Sequence, residues 1–436
     1  MKQIYKVLIV ACAMLVALPS FSQKKKAGKN VGNEYVVLAS SAVKGDAAWM
    51  EVVNALQAKH GAEVVFFDKA PRESLETLKT LRPRYVAVVE TPENLGRDYV
   101  IDLNKMSREV DDDIYADYLC GIITGYDAAA AMKMVNNSTE PFVIHNAVAT
   151  IHELCSAKWF DTYGWLDDHT MGLWGEKTGK DAKVTTGNVP REKMLDKFAE
   201  LYAKYAPDLV VTAAHATERN LEMPYSMGNI IAKEGKLYAR SAFENKNTPL
   251  QESGKRKVYF AVGNCLIGNV NNTNTSMAVA WMNSGNAATM IGYVVTTWHG
   301  RNGWGGLKYW LTTPGRYTLA EAIYMNQQDM LCQMNEWNPK MLTEDYPAFD
   351  MTEFTVAPIA LQKLLGKQPT NDQVGFWHDR DVLAFYGDPK WDVRLQEIPE
   401  ENDYTVTTKV KGKQCVVTIT THDNFKLGLM KGDKFK

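Results

Sequence analysis

Short apolar runs alternate with amphipathic segments between residues 34 and 90. The runs contain β-branched side chains, whereas the segments between them carry apolar residues at helical spacing. In chain order they predict a strand at 35–39, a helix at 47–59, a strand at 64–67, a helix at 72–81 and a strand at 85–89. Gly61 follows the first helix and marks its end. Strands that alternate with helices predict an α/β fold, with a mostly parallel sheet covered by helices on both faces.

A second α/β stretch follows the first. It is predicted from a strand at 118–124, helices at 128–135 and 194–205, and apolar runs at 209–212, 258–262 and 290–295. The turn after the first strand has neither a Gly-x-Gly-x-x-Gly pattern nor a phosphate loop, which argues against a dinucleotide-binding domain.

Strict alternation of apolar and polar residues begins after residue 403. Residues 404–407 and 414–419 predict antiparallel strands of a small β module. We therefore expect a signal peptide at 1–22, an N-terminal α/β subdomain at 34–137, a second α/β subdomain at 138–394 and the β module at 395–436.

The chain begins with the pattern of an export signal. A basic start precedes an apolar run at 7–18, which is too short to span a bilayer. Residues 20–22 place small side chains where a signal peptidase reads them, so we expect cleavage before Gln23. A lipoprotein is the alternative, because residues 9–12 resemble a lipid-attachment box, although the apolar run continues past Cys12.

Charge and hydropathy narrow the partners and the location. The net charge is −2, and beyond the lysines at 24–29 no basic stripe occurs, which argues against nucleic-acid binding. No later segment approaches the roughly 18 consecutive apolar residues of a membrane-spanning helix. We therefore expect no transmembrane segment and a location in the periplasm, at the cell surface or outside the cell.

Cysteine count raises the question of a reactive thiol. Of six cysteines, removal of Cys12 with the signal leaves five, at positions 120, 155, 265, 332 and 415. An odd number leaves at least one thiol unpaired in a compartment that permits disulfides. No Cys-x-x-Cys pair occurs, so neither a zinc ribbon nor a thioredoxin motif is indicated.

Two chemically active side chains follow runs that are typical of buried strands. His215 follows the run at 209–212, and Cys265 follows the run at 258–262. Carboxyl ends of parallel strands meet at one edge of a sheet, where ligands collect, so neighbouring strands would bring both side chains to that edge. An imidazole can take the proton of a thiol and return it to a leaving amine. Cys265 is therefore a candidate nucleophile, with His215 as its general acid and base.

Backbone amides complete this candidate site. The N–H groups of Ala216 and Cys265 are candidates for holding an oxyanion. The order of the pair, with histidine fifty positions before cysteine, matches the order and approximate spacing in caspases. The alternative is that both are ordinary core residues, because a cysteine after an apolar strand is usually a small buried hydrophobe.

Residues 34–395 resemble the gingipain family of cysteine peptidases, which have a caspase-like fold. The matching elements, in order, are an acidic-tyrosine element at 113–115, a strand and helix at 120–135, His215, Cys265, a strand end at 296–304, a helix at 318–331 and Gly387-Asp388-Pro389. The resemblance implies an exported cysteine endopeptidase with a peptide or protein substrate, followed by an immunoglobulin-like module. It implies that Trp298, His299 and Trp304 line a specificity pocket. It implies no organic cofactor and no catalytic metal, with structural calcium as in related enzymes.

The chain departs from the family in two places. The family usually has glycine after the catalytic histidine, where this chain has Ala216, which keeps the N–H but restricts φ. The stretch between His215 and Cys265 is longer than in gingipains. Within it, residues 244–249 predict a surface loop and a candidate processing site.

Other groups of residues suggest weaker alternatives. His152-Glu153 begins like a zinc-peptidase helix, but Ser156 stands where the second histidine would be, so this is not a zincin. The acidic run at 111–113 could bind calcium or remain a solvated face. His299 is an alternative catalytic histidine. Candidates for recognising a basic substrate side chain are Asp161, Asp167 and Asp168.

Two functional rivals stay open. The first is a peptidase-like fold without catalysis, acting as a surface binding or scaffold protein. The second is a hydrolase of another chemistry, but the chain has no Gly-x-Ser-x-Gly motif, which argues against a serine hydrolase.

Overall fold

The computed structural model describes residues 34–136, 139–244, 246–398, 404–411 and 414–421. The predicted signal peptide at 1–22 lies outside the described residues. Of the described residues, inter-residue contacts group those from 34 to 397 in one compact unit and those at 398, 404–411 and 414–421 in a second. The boundaries predicted after residues 137 and 394 stay predictions.

The strands are β1 (Tyr35–Ser40), β2 (Glu63–Phe67), β3 (Tyr85–Val89), β4 (Leu119–Ile123), β5 (Phe142–Ile144), β6 (Asn146–Ala149), β7 (Thr162–Leu166), β8 (Leu173–Lys177), β9 (Thr185–Asn188), β10 (Leu209–Thr212), β11 (Asn220–Glu222), β12 (Gly228–Lys233), β13 (Lys236–Ser241), β14 (Asn247–Pro249), β15 (Lys257–Ala261), β16 (Ala287–Tyr293), β17 (Leu383–Gly387), β18 (Val393–Leu395), β19 (Tyr404–Lys411) and β20 (Gln414–Thr421).

The α-helices are α1 (Ser41–Lys44), α2 (Ala47–His60), α3 (Leu75–Leu81), α4 (Arg97–Met106), α5 (Ala128–Val135), α6 (Met194–Tyr205), α7 (Met277–Asn283), α8 (Arg301–Thr312), α9 (Leu319–Trp337), α10 (Glu353–Leu365) and α11 (Asn371–Asp379).

A single 12-stranded sheet runs through the large unit. Its strand order is β2-β1-β3-β4-β17-β16-β15-β10-β6-β7-β8-β9. Strands β2, β1, β3, β4 and β17 are parallel to one another, and so are β16, β15, β10, β6 and β7. The two sets run in opposite directions, because β16 and β17 pair antiparallel. The α/β fold with a mostly parallel sheet is confirmed.

The direction of the second set decides where its strand ends lie. The carboxyl ends of β16, β15, β10, β6 and β7 all reach one edge of the sheet, which we call the carboxyl edge. Loops and side chains from five strands therefore converge there. In parallel sheets this is the edge at which ligands bind.

Local sequence explains why the predicted elements form. Strands β1, β3, β10 and β15 are buried at every position, as expected when both faces of a sheet are covered. Helix α2 begins after Asp46, whose carboxylate accepts hydrogen bonds from the amides of Ala48 and Trp49. It ends at Gly61 in the left-handed conformation, with φ of 62°, as the sequence predicted.

The long stretch between His215 and Cys265 has its own structure. It forms a second, four-stranded antiparallel sheet in the order β11-β12-β13-β14. Residues 244–249 are exposed as predicted where the structure describes them, but Asn247–Pro249 pairs with β13 as a strand instead of forming a loop. The extra length is therefore an ordered layer of sheet.

A buried carboxylate joins distant parts of the large unit. Asp388, just after β17, accepts a hydrogen bond from the hydroxyl of Tyr35 on β1 at 2.8 Å. Its other oxygen lies 2.7 Å from Nε2 of His60 and 3.1 Å from Nζ of Lys59, both on α2. The Gly-Asp-Pro element therefore ties the end of β17, an interior strand of the sheet, to β1 and α2.

The C-terminal segment forms a hairpin in its own unit. Strands β19 and β20 pair antiparallel, with Tyr404 opposite Thr421 at one end and Lys411 opposite Gln414 at the other. This confirms the antiparallel strands predicted after residue 403. Among the described residues, no helix is long and apolar enough to cross a membrane.

Candidate active site

Strands β10 and β15 are direct neighbours, as the site hypothesis requires. They pair in parallel, with Thr212 opposite Ala261. The pairing continues past the strands, because the amide of Val262 donates to the carbonyl oxygen of Thr212 at 3.0 Å. Adjacent strands lie about 4.8 Å apart. The segments that carry His215 and Cys265 therefore leave the sheet side by side at the carboxyl edge.

Asn264 holds these two segments together. Its side-chain amide donates to the carbonyl oxygen of Ala214 at 2.7 Å, and its side-chain oxygen accepts from the hydroxyl of Thr212 at 2.7 Å. Asn264 is fully buried. Ala214 directly precedes His215, and Asn264 directly precedes Cys265, so one side chain fixes the backbone next to both candidate residues.

The thiol of Cys265 is half-buried and is turned toward the third strand of this edge. It donates a hydrogen bond to the carbonyl oxygen of Thr297, which follows β16, at 3.5 Å. Burial raises the pKa of Cys265 above its ordinary value, and the charge of Glu353 adds to the effect. Leu266 follows with φ of 56°, a conformation that costs a non-glycine residue about 1–2 kcal/mol. A sharp turn therefore presents the thiol.

His215 lies at the same edge with an exposed side chain. Its carbonyl oxygen accepts a hydrogen bond from the amide of Glu222 at 2.9 Å, which fixes the backbone. Within the described part of the chain, the imidazole forms no hydrogen bond, including none with Cys265. The structure brings the two backbone segments together and leaves the ring free to turn.

The two proposed oxyanion amides are both at this edge. Ala216 forms a single antiparallel bridge with Leu221, and its φ is not positive. Over the described ranges, the N–H groups of Ala216 and Cys265 donate to no other residue. Alanine at position 216 is therefore compatible with the local backbone, and both amides remain available.

The three predicted pocket residues lie in different surroundings. Trp298 is 42% exposed and packs against Phe354, which is 52% exposed, with ring centroids 4.8 Å apart. His299 is half-buried, and its ring lies 5.4 Å from that of His378 on α11. Trp304 lies in α8, and its indole nitrogen covers Gly263, where an added Cβ would approach it to 3.2 Å. Trp304 therefore lies beside the segment that leads to Cys265, Trp298 packs against Phe354, and His299 packs toward α11.

A buried group of one histidine and two carboxylates lies next to His299. Nδ1 of His378 lies 2.6 Å from Asp379, and its Nε2 lies 3.5 Å from Glu353 at the start of α10. Asp379 also accepts from the hydroxyl of Tyr293 and the amide of Asn302. Burial opposes protonation of His378, but the two carboxylates outweigh it and raise its pKa to about 9.

This group predicts a loss of stability in alkaline solution. A histidine whose folded pKa is raised stabilises the fold fully below its unfolded pKa of about 6.5, and the contribution is lost as pH rises through about 9. We expect urea unfolding to show decreasing stability between these values. The variant His378→Gln, which cannot be protonated, should be less stable at pH 6 and show a flatter pH dependence. An unchanged slope in the variant would contradict this role.

The acidic candidates are engaged in local structure. In the run at 111–113, Asp111 and Asp113 accept hydrogen bonds from the amides two residues further on. Asp161 lies 2.9 Å from Nδ1 of His145. Glu153, Asp168 and His169 place one ligand atom each within 4.8 Å of one another. Asp168 already accepts from the amide of His152, and His169 stacks on the ring of His152, so we assign no metal to them.

Two features of the edge were missed by sequence reasoning. The first is Asn264, whose only sequence signal is its place immediately before the candidate nucleophile. The second is a group formed by His152, Cys155 and Asp167, which follow β6 and β7. A histidine and a cysteine three positions apart after an apolar run could have indicated it, but the partner Asp167 depends on strand pairing.

Comparison with known proteins gives similarity in structure only. No protein-family model and no curated protein matches the sequence. The chain is similar to the crystal structure of the Arg-specific cysteine proteinase gingipain R, with 10% identity and a TM-score of 0.49, covering 88% of this chain and 82% of the other. It is also similar to a structure described as a protease, with 10% identity and a TM-score of 0.42, covering 89% of this chain and 91% of the other.

Proposed function

We propose that the protein is an exported cysteine endopeptidase in which Cys265 is the nucleophile and His215 the general acid and base. The observation that carries the proposal is the pair of hydrogen bonds that the side chain of Asn264 makes, one donated to Ala214 and one accepted from Thr212, because they hold the segments before His215 and Cys265 side by side. A thiol and an exposed imidazole thus leave neighbouring strands at the edge where parallel sheets bind ligands.

The chemistry follows from the state of the thiol. Because burial raises the pKa of Cys265, the sulfur is protonated near neutral pH and needs a base as it attacks. The imidazole of His215 turns to accept that proton while the sulfur bonds to the scissile carbonyl carbon. The amides of Ala216 and Cys265 hold the oxyanion. The protonated imidazole then gives its proton to the leaving amine, and water hydrolyses the acyl-enzyme.

The same geometry supports one rival. The thiol donates to Thr297, and among the described residues His215 forms no hydrogen bond with it. A peptidase-like fold that binds peptides without cleaving them would tolerate this arrangement. Exposed Trp298 and Phe354 would then serve as the binding surface.

A covalent probe separates the two functions. A peptidyl acyloxymethyl ketone reacts with a cysteine only when a base assists the thiol beside a peptide-binding site. The protein is first shown to be cleaved before Gln23 and is kept reduced. We then expect peptide mass mapping to find the adduct on Cys265. The variant His215→Ala, treated with the same probe, should give little adduct on Cys265. Absence of any adduct on Cys265 in the wild type would favour the non-catalytic rival.

Asn264 provides a second prediction. In Asn264→Asp the side-chain oxygen that accepts from Thr212 can remain, but the donor to Ala214 is lost, and a carboxylate is buried in the residue before Cys265. We expect kcat to fall by about 10–100-fold with a small change in KM, because a misplaced pair affects the chemical step more than binding. Steady-state kinetics with a peptide substrate measures both. The control Asn271→Asp changes an asparagine that lies in the loop after the turn and is bonded to Glu218.

Export is part of the proposal and rests on the sequence pattern at 1–22. Amino-terminal sequencing of the protein from a bacterial host tests it. Cleavage before Gln23 is the expected result, and a lipid-modified Cys12 would support the lipoprotein alternative.

A further inference from the structure

A second thiol, imidazole and carboxylate lie next to one another at the carboxyl edge, apart from Cys265 and His215. Nε2 of His152 is 3.9 Å from Sγ of Cys155. Nδ1 of the same ring is 2.5 Å from Oδ2 of Asp167. His152 and Cys155 follow β6, and Asp167 follows the neighbouring strand β7. The order sulfur, imidazole, carboxylate is that of a nucleophile, its general base and the group that orients the base.

The carboxylate is fixed before any ligand arrives. The side chain of Asp167 is fully buried. Its Oδ1 accepts hydrogen bonds from the amides of His169 at 2.8 Å and Thr170 at 2.6 Å, which leaves Oδ2 for His152. These bonds give the carboxylate a single orientation toward the ring.

The imidazole is fixed from two further sides. Its ring stacks on that of His169, with centroids 4.7 Å apart and planes 18° apart. The backbone amide of His152 donates to Asp168 at 2.8 Å. The ring is nevertheless 44% exposed, and Cys155 is half-buried, so a small molecule can approach the pair from solvent.

The protonation states suit base-assisted attack. Burial opposes ionisation of Asp167, but the hydrogen bonds from His152 and from the two backbone amides outweigh it, and its pKa lies below the ordinary value. Burial, together with the charge of Asp167, raises the pKa of Cys155. Nδ1 therefore carries the proton that bonds to the carboxylate, and Nε2 is left to accept the thiol proton.

We propose that Cys155 is a second nucleophilic thiol that accepts acyl groups from activated esters and thioesters, with His152 as its general base and Asp167 as a positioning residue. A bond forms between Sγ of Cys155 and the acyl carbon, and the bond from that carbon to the leaving group breaks. The leaving group departs with the electron pair, and the thiol proton passes to Nε2 of His152. This site does not depend on the function proposed for Cys265.

The test uses the full chain with p-nitrophenyl acetate as the acyl donor. Peptide mass mapping measures the rate of acetylation at each cysteine, and exposed Cys415, in the other unit, is the internal reference. We expect the ratio of the Cys155 rate to the Cys415 rate to be at least about tenfold higher in the native chain than in urea. This wild-type measurement needs no variant to fold. An equal or lower ratio in the native chain would overturn the proposal.

Variants identify the roles of the two partners. His152→Ala should lower the Cys155 rate by about 100-fold, and added imidazole should restore part of it, an effect that a purely structural role would not produce. Asp167→Asn should lower the rate less. Acetylation of Cys155 that is unchanged in His152→Ala would refute the base. Failure at Cys155 with adduct formation at Cys265 would remove this inference alone, and the reverse result would remove only the proposed peptidase centre.

Discussion

Replacing Cys265 with alanine is expected to lower kcat/KM for peptide hydrolysis by about 10⁴-fold or more. The substitution removes the atom that forms the acyl-enzyme, and no neighbouring group on β15 can take its place. In the part of the chain that the structure describes, the half-buried thiol makes one side-chain hydrogen bond, to Thr297, so its loss should change stability little. Cleavage of a mixed peptide library by wild type and Cys265→Ala, under reducing conditions, measures the difference.

The matched control for this prediction is Cys415→Ala. Cys415 is an exposed thiol on the separate β19–β20 hairpin, so its removal should leave the cleavage rate unchanged. Equal cleavage by wild type and Cys265→Ala would refute the assigned nucleophile. Equal loss in both cysteine variants would point to a general requirement for thiols and would also contradict the assignment.

The substitution Asp388→Ala is expected to destabilise the large unit by about 3–5 kcal/mol. It leaves the ammonium of Lys59 and the ring of His60 buried without their carboxylate, and it frees the hydroxyl of Tyr35. Such losses are large because a buried charge that loses its counter-ion keeps much of its desolvation cost. Urea unfolding followed by tryptophan fluorescence measures the change in the free energy of unfolding.

Asp388 also affects how stability depends on pH. Burial opposes ionisation of Asp388, but His60 and Lys59 outweigh it and lower its pKa to about 2. Its contribution is therefore present above the unfolded pKa of about 4 and is lost as pH falls through about 2. In Asp388→Ala, the free energy of unfolding should therefore fall less than in the wild type as pH decreases from about 4 to about 2.

A nearby ion pair supplies the control. Asp392 and Arg394 form a pair that is about 30% exposed on both sides. Pairs of that kind contribute about 0–1 kcal/mol, so Asp392→Ala should have a small effect. If Asp388→Ala and Asp392→Ala lowered the free energy of unfolding by similar amounts, burial would not be the reason that the Asp388 network stabilises the fold.

The α/β character was predictable because strands with both faces covered are apolar along their whole length. Periodicity located α5 and α6 at the residues where the structure has them. It could not show that β17 pairs antiparallel with β16 and parallel with β4, because strand order depends on contacts between distant segments. The sheet from β11 to β14 was missed because its short strands are partly exposed and lack a clear alternating pattern.

The candidate site was predictable only as far as the strand ends. Parallel pairing of β10 and β15 places His215 and Cys265 at one edge, and that part follows from the position of each residue after an apolar run. The orientation of each side chain does not follow from the sequence. The bond from Cys265 to Thr297 and the bridge through Asn264 both require the three-dimensional register of neighbouring strands.

A crystal structure of the chain with a bound peptide aldehyde tests the central claim most directly. An aldehyde forms a reversible bond with a catalytic thiol and mimics the tetrahedral state. We predict a bond from Sγ of Cys265 to the aldehyde carbon, with the His215 ring turned to within about 3.5 Å of the sulfur or the new hydroxyl. A bound peptide that is not attached to Cys265, with the thiol still hydrogen-bonded to Thr297 and His215 still turned to solvent, would contradict the assigned catalytic pair.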